Sequence, residues 1–332
     1  MDVRSFLQLE ATEDPAHWRL PMWEGICGGR GALYGGCGLA AVIEVAEAAT
    51  GRPATWAACQ FVNGAEVPDT LDLRCEVLIA GRRITQTRVT ASVGDKVALA
   101  ALVALGTREF PIEGAWGPHP PADLPPPEAC ATRKMPEHRR GGLRLRIDER
   151  VVGEADGTMA SSDGRAFLWC TMPGGVPASA GALAILGDGV SSGVDAMFTD
   201  DIRARSIDNS QRVVAPRACD WVLADIQDDG AGEGLAHGRA RLWTPDGHLL
   251  AVASQAAWWA TADAGRAARS RWWCPPRTPA GGQRRTGPRW PPCRFCTTNS
   301  CSRQGASSAA GWARSTPDRG SRSGPPGRCA DP

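Results

Sequence analysis

The feature that most limits how this 332-residue chain can fold is an order of elements that occurs twice. Residues 116–137 hold Pro118, Pro120, Pro121, Pro125, Pro126, Pro127 and Pro136 and little that could form a core, so they read as a linker. Before it, Gly35-Gly36 precedes an Ala, Leu, Val and Ile-rich run from Cys37 to Thr50, in which only Glu44 and Glu47 are charged. That pattern predicts a mostly buried helix with one narrow polar edge, closed by Gly51 and Pro53. Strands are predicted next. Leu73, Cys75, Val77 and Ile79 alternate with Asp72, Arg74 and Glu76, Gly81 turns into the β-branched run Ile84–Thr90, and Gly94-Asp95 turns into Val97–Leu105.

After the linker the order repeats. A small-residue helical stretch is predicted over about 179–194, followed by strands over 203–214, 220–227, 234–243 and 248–259. The turn Asp246-Gly247 before His248-Leu249-Leu250-Ala251 echoes Gly94-Asp95 before Lys96-Val97-Ala98-Leu99. A helix followed by antiparallel strands, twice, implies an internal duplication. One long apolar helix wrapped by an antiparallel sheet is the hotdog unit, and two units in one chain can form a pseudo-dimer. The expectation is therefore α+β, a double hotdog: one unit over 1–115, the linker over 116–137, a second unit over 138–263 and a tail over 264–332.

The tail differs abruptly from the rest. It has no Leu, Ile, Val or Met and carries thirteen Arg against Asp318 and Asp331, a net +11 in a chain that is +1 overall. The first 263 residues are thus near −10. Without aliphatic side chains a segment cannot bury enough apolar surface to offset its ordering entropy, so the tail is expected to be disordered. Its vocabulary matches a GC-rich gene read out of frame, which the abruptness favours, and also an ordinary disordered extension. Its Trp residues among Arg would suit a nucleic-acid arm, but no nucleic-acid partner is expected. Cys293, Cys296 and Cys301 resemble half a metal site, too little to predict one. Met1-Asp2-Val3-Arg4 leads into no apolar core, and the longest apolar run, Val97–Leu105, is too short to span a bilayer. The expected location is the cytoplasm, with reduced thiols and no membrane partner.

Residues 20–262 resemble the acyl-CoA thioesterase II family, built as a double hotdog. Leu33-Tyr34-Gly35-Gly36 is similar to the family's aromatic-Gly-Gly helix start, and Gly81–Val89 to its Gly-x-Ser-Phe-x-x-Arg-x-Val strand. Ala184-Ile185-Leu186-Gly187-Asp188 resembles the helix that carries the family's Asp, and Ser206-Ile207-Asp208-Asn209 its Ser/Thr-Leu/Ile-Asp-His segment. Thr244–Gln255 resembles its Thr-x-Asp-Gly-x-Leu-x-Ala-x-x-x-Gln end. Asn209 stands where the family usually has His, and Cys37 where it usually has Gln.

The resemblance implies hydrolysis of acyl-CoA to free fatty acid and coenzyme A, without cofactor or metal. It allows a homo-oligomer, and implies that Asp188, Ser206 and Gln255 hold and activate a water. The residues themselves offer a parallel argument. A carboxylate at Asp188, after Leu183, Ile185 and Leu186, needs a polar partner. Ser206 and Gln255 could supply one, Gln255 sharing its strand face with Leu249, Ala251 and Ala253. Bland readings stand beside these: Asp188 ends a helix in a turn, and Ser206 is a small polar strand residue. Gly35 and Gly36 are candidates for polarising a bound carbonyl through helix N-terminal N–H groups. Asp208, read on the same face as Ser206, is a candidate substrate contact or substitute acid, with a structural role as the alternative. Two rivals remain: an acyl-thioester-binding protein without turnover, and a serine hydrolase. The latter would use Gly189-Val190-Ser191-Ser192-Gly193 as a nucleophile elbow with Asp225 and His237 or His248, but it lacks the strand–helix alternation that elbow requires.

Overall fold

Why the first helix forms is plain in its residues. α1 is a short turn over Val3–Leu7, strands β1 (Glu10–Ala11) and β2 (His17–Pro21) follow, and α2 runs from Gly35 to Thr50. Its Ala/Leu/Val/Ile run buries Leu39, Val42, Ile43 and Val45, and Gly51 ends it in the left-handed conformation, φ 65°, that glycine adopts without strain. The computed structural model describes residues 1–107, 114–135, 140–190, 193 and 202–261. The tail expected over 264–332 and Ser191 and Ser192 lie outside the described residues, while the helix expected to reach 194 instead ends at Leu186, where Gly187 follows.

The remaining first-half strands are β3 (Ala54–Phe61), β4 (Thr70–Ala80), β5 (Thr85–Val93) and β6 (Lys96–Leu105). The second half carries β7 (Ala131–Thr132), β8 (Asp148–Val151), β9 (Arg165–Thr171), α3 (Ala180–Leu186), β10 (Ile202–Ser206) and β11 (Asp208–Val213). It ends with β12 (Val222–Gly232), β13 (Leu235–Trp243) and β14 (Leu249–Thr261). All pairings are antiparallel, and the sheet runs β1-β2-β4-β5-β6-β3-β11-β14-β13-β12-β9-β8-β7, with β10 also on β14. Read outward from the β3–β11 seam, the two halves have matching connectivity: β3-β6-β5-β4-β2 on one side, β11-β14-β13-β12-β9 on the other. The duplication is therefore present in the pairing, and the fold is a double hotdog whose central helices touch. A Cβ on Gly36 of α2 would stand 2.7 Å from the Ala184 carbonyl and 2.9 Å from the Ile185 Cα of α3.

Several local expectations change. The strand over Ala54–Phe61 and those over 148–151 and 165–171 were not foreseen. Glu44 and Glu47 are not a solvated edge: Arg4 of α1 binds Glu44 at 2.8 Å, and Glu47 accepts the Ala54 N–H at 2.7 Å. Beyond Cys75, β4 leaves the core, so Val77 and Ile79 are exposed despite their alternation. The proline-rich segment is better packed than its composition suggested. Pro127 and Cys130 are buried, Pro125 accepts the Trp169 indole N–H at 3.0 Å, and Leu124 packs with Trp169, Leu223 and Trp243. Among the described residues no helix is long and apolar enough to cross a membrane.

Candidate active site

The site is assembled where the two helices meet. α2 opens at Tyr34, whose extended backbone has no side-chain cap, so the first N–H groups of the helix need acceptors. One comes from the other half of the chain. α3 stops at Gly187, and the next residue, Asp188, turns its carboxylate back to α2, where Oδ2 accepts the Gly36 N–H at 2.6 Å. A negative group at a helix N-terminus is favoured by the aligned peptide dipoles. Glycine favours the approach: a Cβ on Gly35 would lie 2.8 Å from Asp188 Oδ2 and 3.0 Å from the Phe61 ring, and one on Gly36 2.7 Å from the Ala184 carbonyl oxygen.

Gln255 of β14 meets the other carboxylate oxygen. Its Nε2 donates to Asp188 Oδ1 and to Ser206 Oγ, the latter at 2.7 Å. Both N–H bonds of the amide are thereby engaged, while Gln255 Oε1 is buried with no partner among the described residues. Asp188 is 3% exposed, and burial pushes its carboxyl above the ordinary range, opposed by the Gly36 and Gln255 hydrogen bonds and by Arg144. Asp188, Ser206, Gln255 and Gly36 are thus brought together. The second half supplies the three polar side chains and the first half the helix N-terminus. Because Gly36 N–H is engaged by Asp188, it caps the carboxylate rather than facing a guest.

Asp208 does another job. Its Oδ1 accepts the Ala256 N–H at 2.7 Å, and the Ile207 N–H donates to the Ala256 carbonyl at 2.8 Å. The pairing slips by one residue between Ser206, opposite Ala257, and Ser210, opposite Ser254. This irregularity breaks the alternation that had put Asp208 on the face of Ser206.

A network that was not foreseen holds Tyr34. Its hydroxyl donates to the Asp188 carbonyl at 2.5 Å and accepts from Arg144 Nη2 at 3.0 Å, with that guanidinium 5.1 Å from the ring centroid. Arg144 also binds Glu149, which Arg133 meets at 3.3 Å, and all three side chains are at most 10% exposed. Burial pushes the Tyr34 phenol well above its usual value, so it stays a neutral donor. The only local hint was the dense charge of Arg144-Leu145-Arg146-Ile147-Asp148-Glu149-Arg150. Cys37, beside the site, is buried and its thiol is pushed well up, which argues against a thiolate nucleophile. The serine-hydrolase geometry is not met: a helix rather than a strand precedes Gly189, and Arg165 grips Asp225 through two bonds of 2.9 and 3.0 Å.

Solved structures share this architecture. A candidate thioesterase from Novosphingobium aromaticivorans DSM 12444 aligns with TM-score 0.67 at 27% identity, covering 75% of this chain and 97% of that one. A hotdog-fold protein of unknown function from Alicyclobacillus acidocaldarius aligns with TM-score 0.68 at 17% identity over 78% and 98%. An acyl-CoA thioesterase II from Mycobacterium marinum aligns with TM-score 0.61 at 18% identity over 79% and 99%. They define the class, the double hotdog proteins. Within it, residues 24–107 match the family model of the acyl-CoA thioesterase N-terminal domain, and residues 127–259 that of the C-terminal domain. The chain belongs to the acyl-CoA thioesterase family. No curated protein matches it at a significant level.

Proposed function

We propose that the protein hydrolyses acyl-CoA thioesters to a free acid and coenzyme A, using a water held by Asp188, Ser206 and Gln255. The observation that carries this reading is the buried carboxylate bonded through one amide to one hydroxyl, in a chain of this family. Asp188 has the lone pairs to take a proton from the water, and its raised pKa makes the carboxylate a better base. Water attacks the thioester carbonyl carbon, the intermediate collapses, and the sulfur leaves with the proton that Asp188 received. Ser206, which accepts from Gln255, keeps its own O–H for the water. No metal or cofactor is required. The seven cysteines of the described residues are free, which fits a reducing compartment such as the cytoplasm.

The rival reading, an acyl-thioester-binding protein without turnover, draws on Asn209, which departs from the His that the family resemblance implies there. Hydrolysis of short, medium and long acyl-CoAs by the full chain, followed by loss of thioester absorbance, separates the two. The proposal expects turnover that falls at least about 10³-fold in Asp188→Asn, since a base and a buried charge pattern are lost together. Binding of acyl-CoA by the folded wild type without turnover would favour the rival.

A further inference from the structure

β11 turns two amides inward, Asn209 and Gln211. Gln211 is anchored at one end, its Nε2 donating to the Ala180 carbonyl at 2.8 Å, while its Oε1 has no partner among the described residues. Asn209 is anchored at neither. It is 1% exposed, and among the described residues neither its Nδ2 nor its Oδ1 meets a partner. A buried amide left so is uncommon, because it loses its hydration without gaining hydrogen bonds.

Its position gives the amide a use. Asn209 follows the end of the β11–β14 ladder at Ser210–Ser254, and it and Gln255 are buried on the neighbouring strands β11 and β14, where the pairing slips. Gln255 Oε1 is unpartnered as well. The unpartnered amide of Asn209 and the free oxygen of Gln255, the residue that binds Asp188 and Ser206, are thus buried on adjoining strands. The Gly36 N–H, the obvious alternative donor, is already engaged by Asp188.

Resting on the thioesterase reading, we infer that Asn209 is a further catalytic residue, whose Nδ2 donates to the thioester carbonyl oxygen. As the water held by Asp188 and Gln255 attacks the carbonyl carbon, the C=O electron pair moves onto that oxygen. The amide N–H stabilises the charge until the C–S bond breaks and the pair returns. The amide is neither consumed nor protonated in the cycle.

Asn209→Leu keeps the number and branching of the heavy atoms and removes both polar atoms. The inference expects a Tm equal to or above wild type, kcat reduced about 10²–10³-fold, and KM for acyl-CoA within about threefold. Asn209→His, which restores an N–H, should recover at least about tenfold of the lost kcat. A structural amide predicts the reverse: a lower Tm, or a leucine variant that does not fold, with kcat retained in whatever folds. Either result overturns the inference. Asp188→Asn run in parallel separates the two claims. If it abolishes turnover while Asn209→Leu does not, only the role of Asn209 falls; if wild type has no turnover, both fall.

Discussion

Replacing Gly36 by alanine tests the meeting of the two helices on which the site depends. Taken alone the change should help α2, since alanine is favoured over glycine inside a helix by about 1 kcal/mol. The surroundings oppose it. The added Cβ would stand 2.7 Å from the Ala184 carbonyl oxygen, 2.9 Å from the Ile185 Cα and 3.0 Å from the Asp188 Cβ. Two of these are backbone atoms of α3, which cannot swing aside as a side-chain end can. Relief requires the helices to part by about half an ångström or more, and overpacking of this kind costs about 1–3 kcal/mol. After the helical gain the net loss is about 0–2 kcal/mol, a fall in Tm of a few degrees for a body of this size. Activity should suffer far more. Parting the helices lengthens the 2.6 Å bond from Gly36 N–H to Asp188 and displaces the carboxylate, for which a loss of about 10²-fold in kcat is expected. Gly38→Ala is the matched control, because its Cβ would meet only the side-chain ends of Leu99 and Leu33 at 3.2 and 3.4 Å. It should keep both stability and activity. Thermal unfolding and acyl-CoA turnover of both variants decide the matter: Gly36→Ala behaving like Gly38→Ala would refute the argument.

Two further predictions concern buried charge. Asp228 is 7% exposed, among the described residues neither carboxylate oxygen has a partner, and burial followed by the nearby Asp229 pushes its pKa to about 7. The folded state then holds a proton that the unfolded state has released, so stability should decline as pH rises from about 4 to about 7 and level off above. Asp228→Asn should flatten that decline in Tm, and an unchanged slope would contradict it. In the Arg133–Glu149–Arg144 cluster, Glu149→Leu leaves two buried guanidiniums without their carboxylate and should cost about 3–5 kcal/mol in urea unfolding. The triple change Arg133→Met/Glu149→Leu/Arg144→Met should cost much less, because no charge is left buried and unpaired.

How far the sequence disclosed this arrangement depended on whether each residue's partner was local. α2 and the two hairpins at Gly94 and Gly247 were legible because period, turn chemistry and helix ending all lie within a few residues. β3 was not, since Ala54-Thr55-Trp56-Ala57-Ala58-Cys59-Gln60-Phe61 has mostly small residues and weak strand preference. Its pairing with both β6 and β11 places it in the sheet. The ties of Glu44 to Arg4 and of Glu47 to Ala54 were invisible for a related reason: charges spaced along a helix look solvated until another element covers them. Asp188 read both as a catalytic group and as a helix end, and its geometry fits both. Flanked by Gly187 and Gly189, it follows the end of α3 and points at α2. The irregularity at Ile207, one residue out of register, could not be read from alternation and moved Asp208 away from Ser206.

The central claim is that a water held at Asp188 reaches the thioester directly. A single turnover of acyl-CoA in ¹⁸O-water, with full-chain enzyme in excess, tests it by mass spectrometry of both the released acid and the Asp188 peptide. One ¹⁸O atom is expected in the acid and none in Asp188. Label in the Asp188 carboxylate with unlabelled acid would show that the carboxylate attacks the carbonyl itself, and the water-activating role assigned to it here would be wrong.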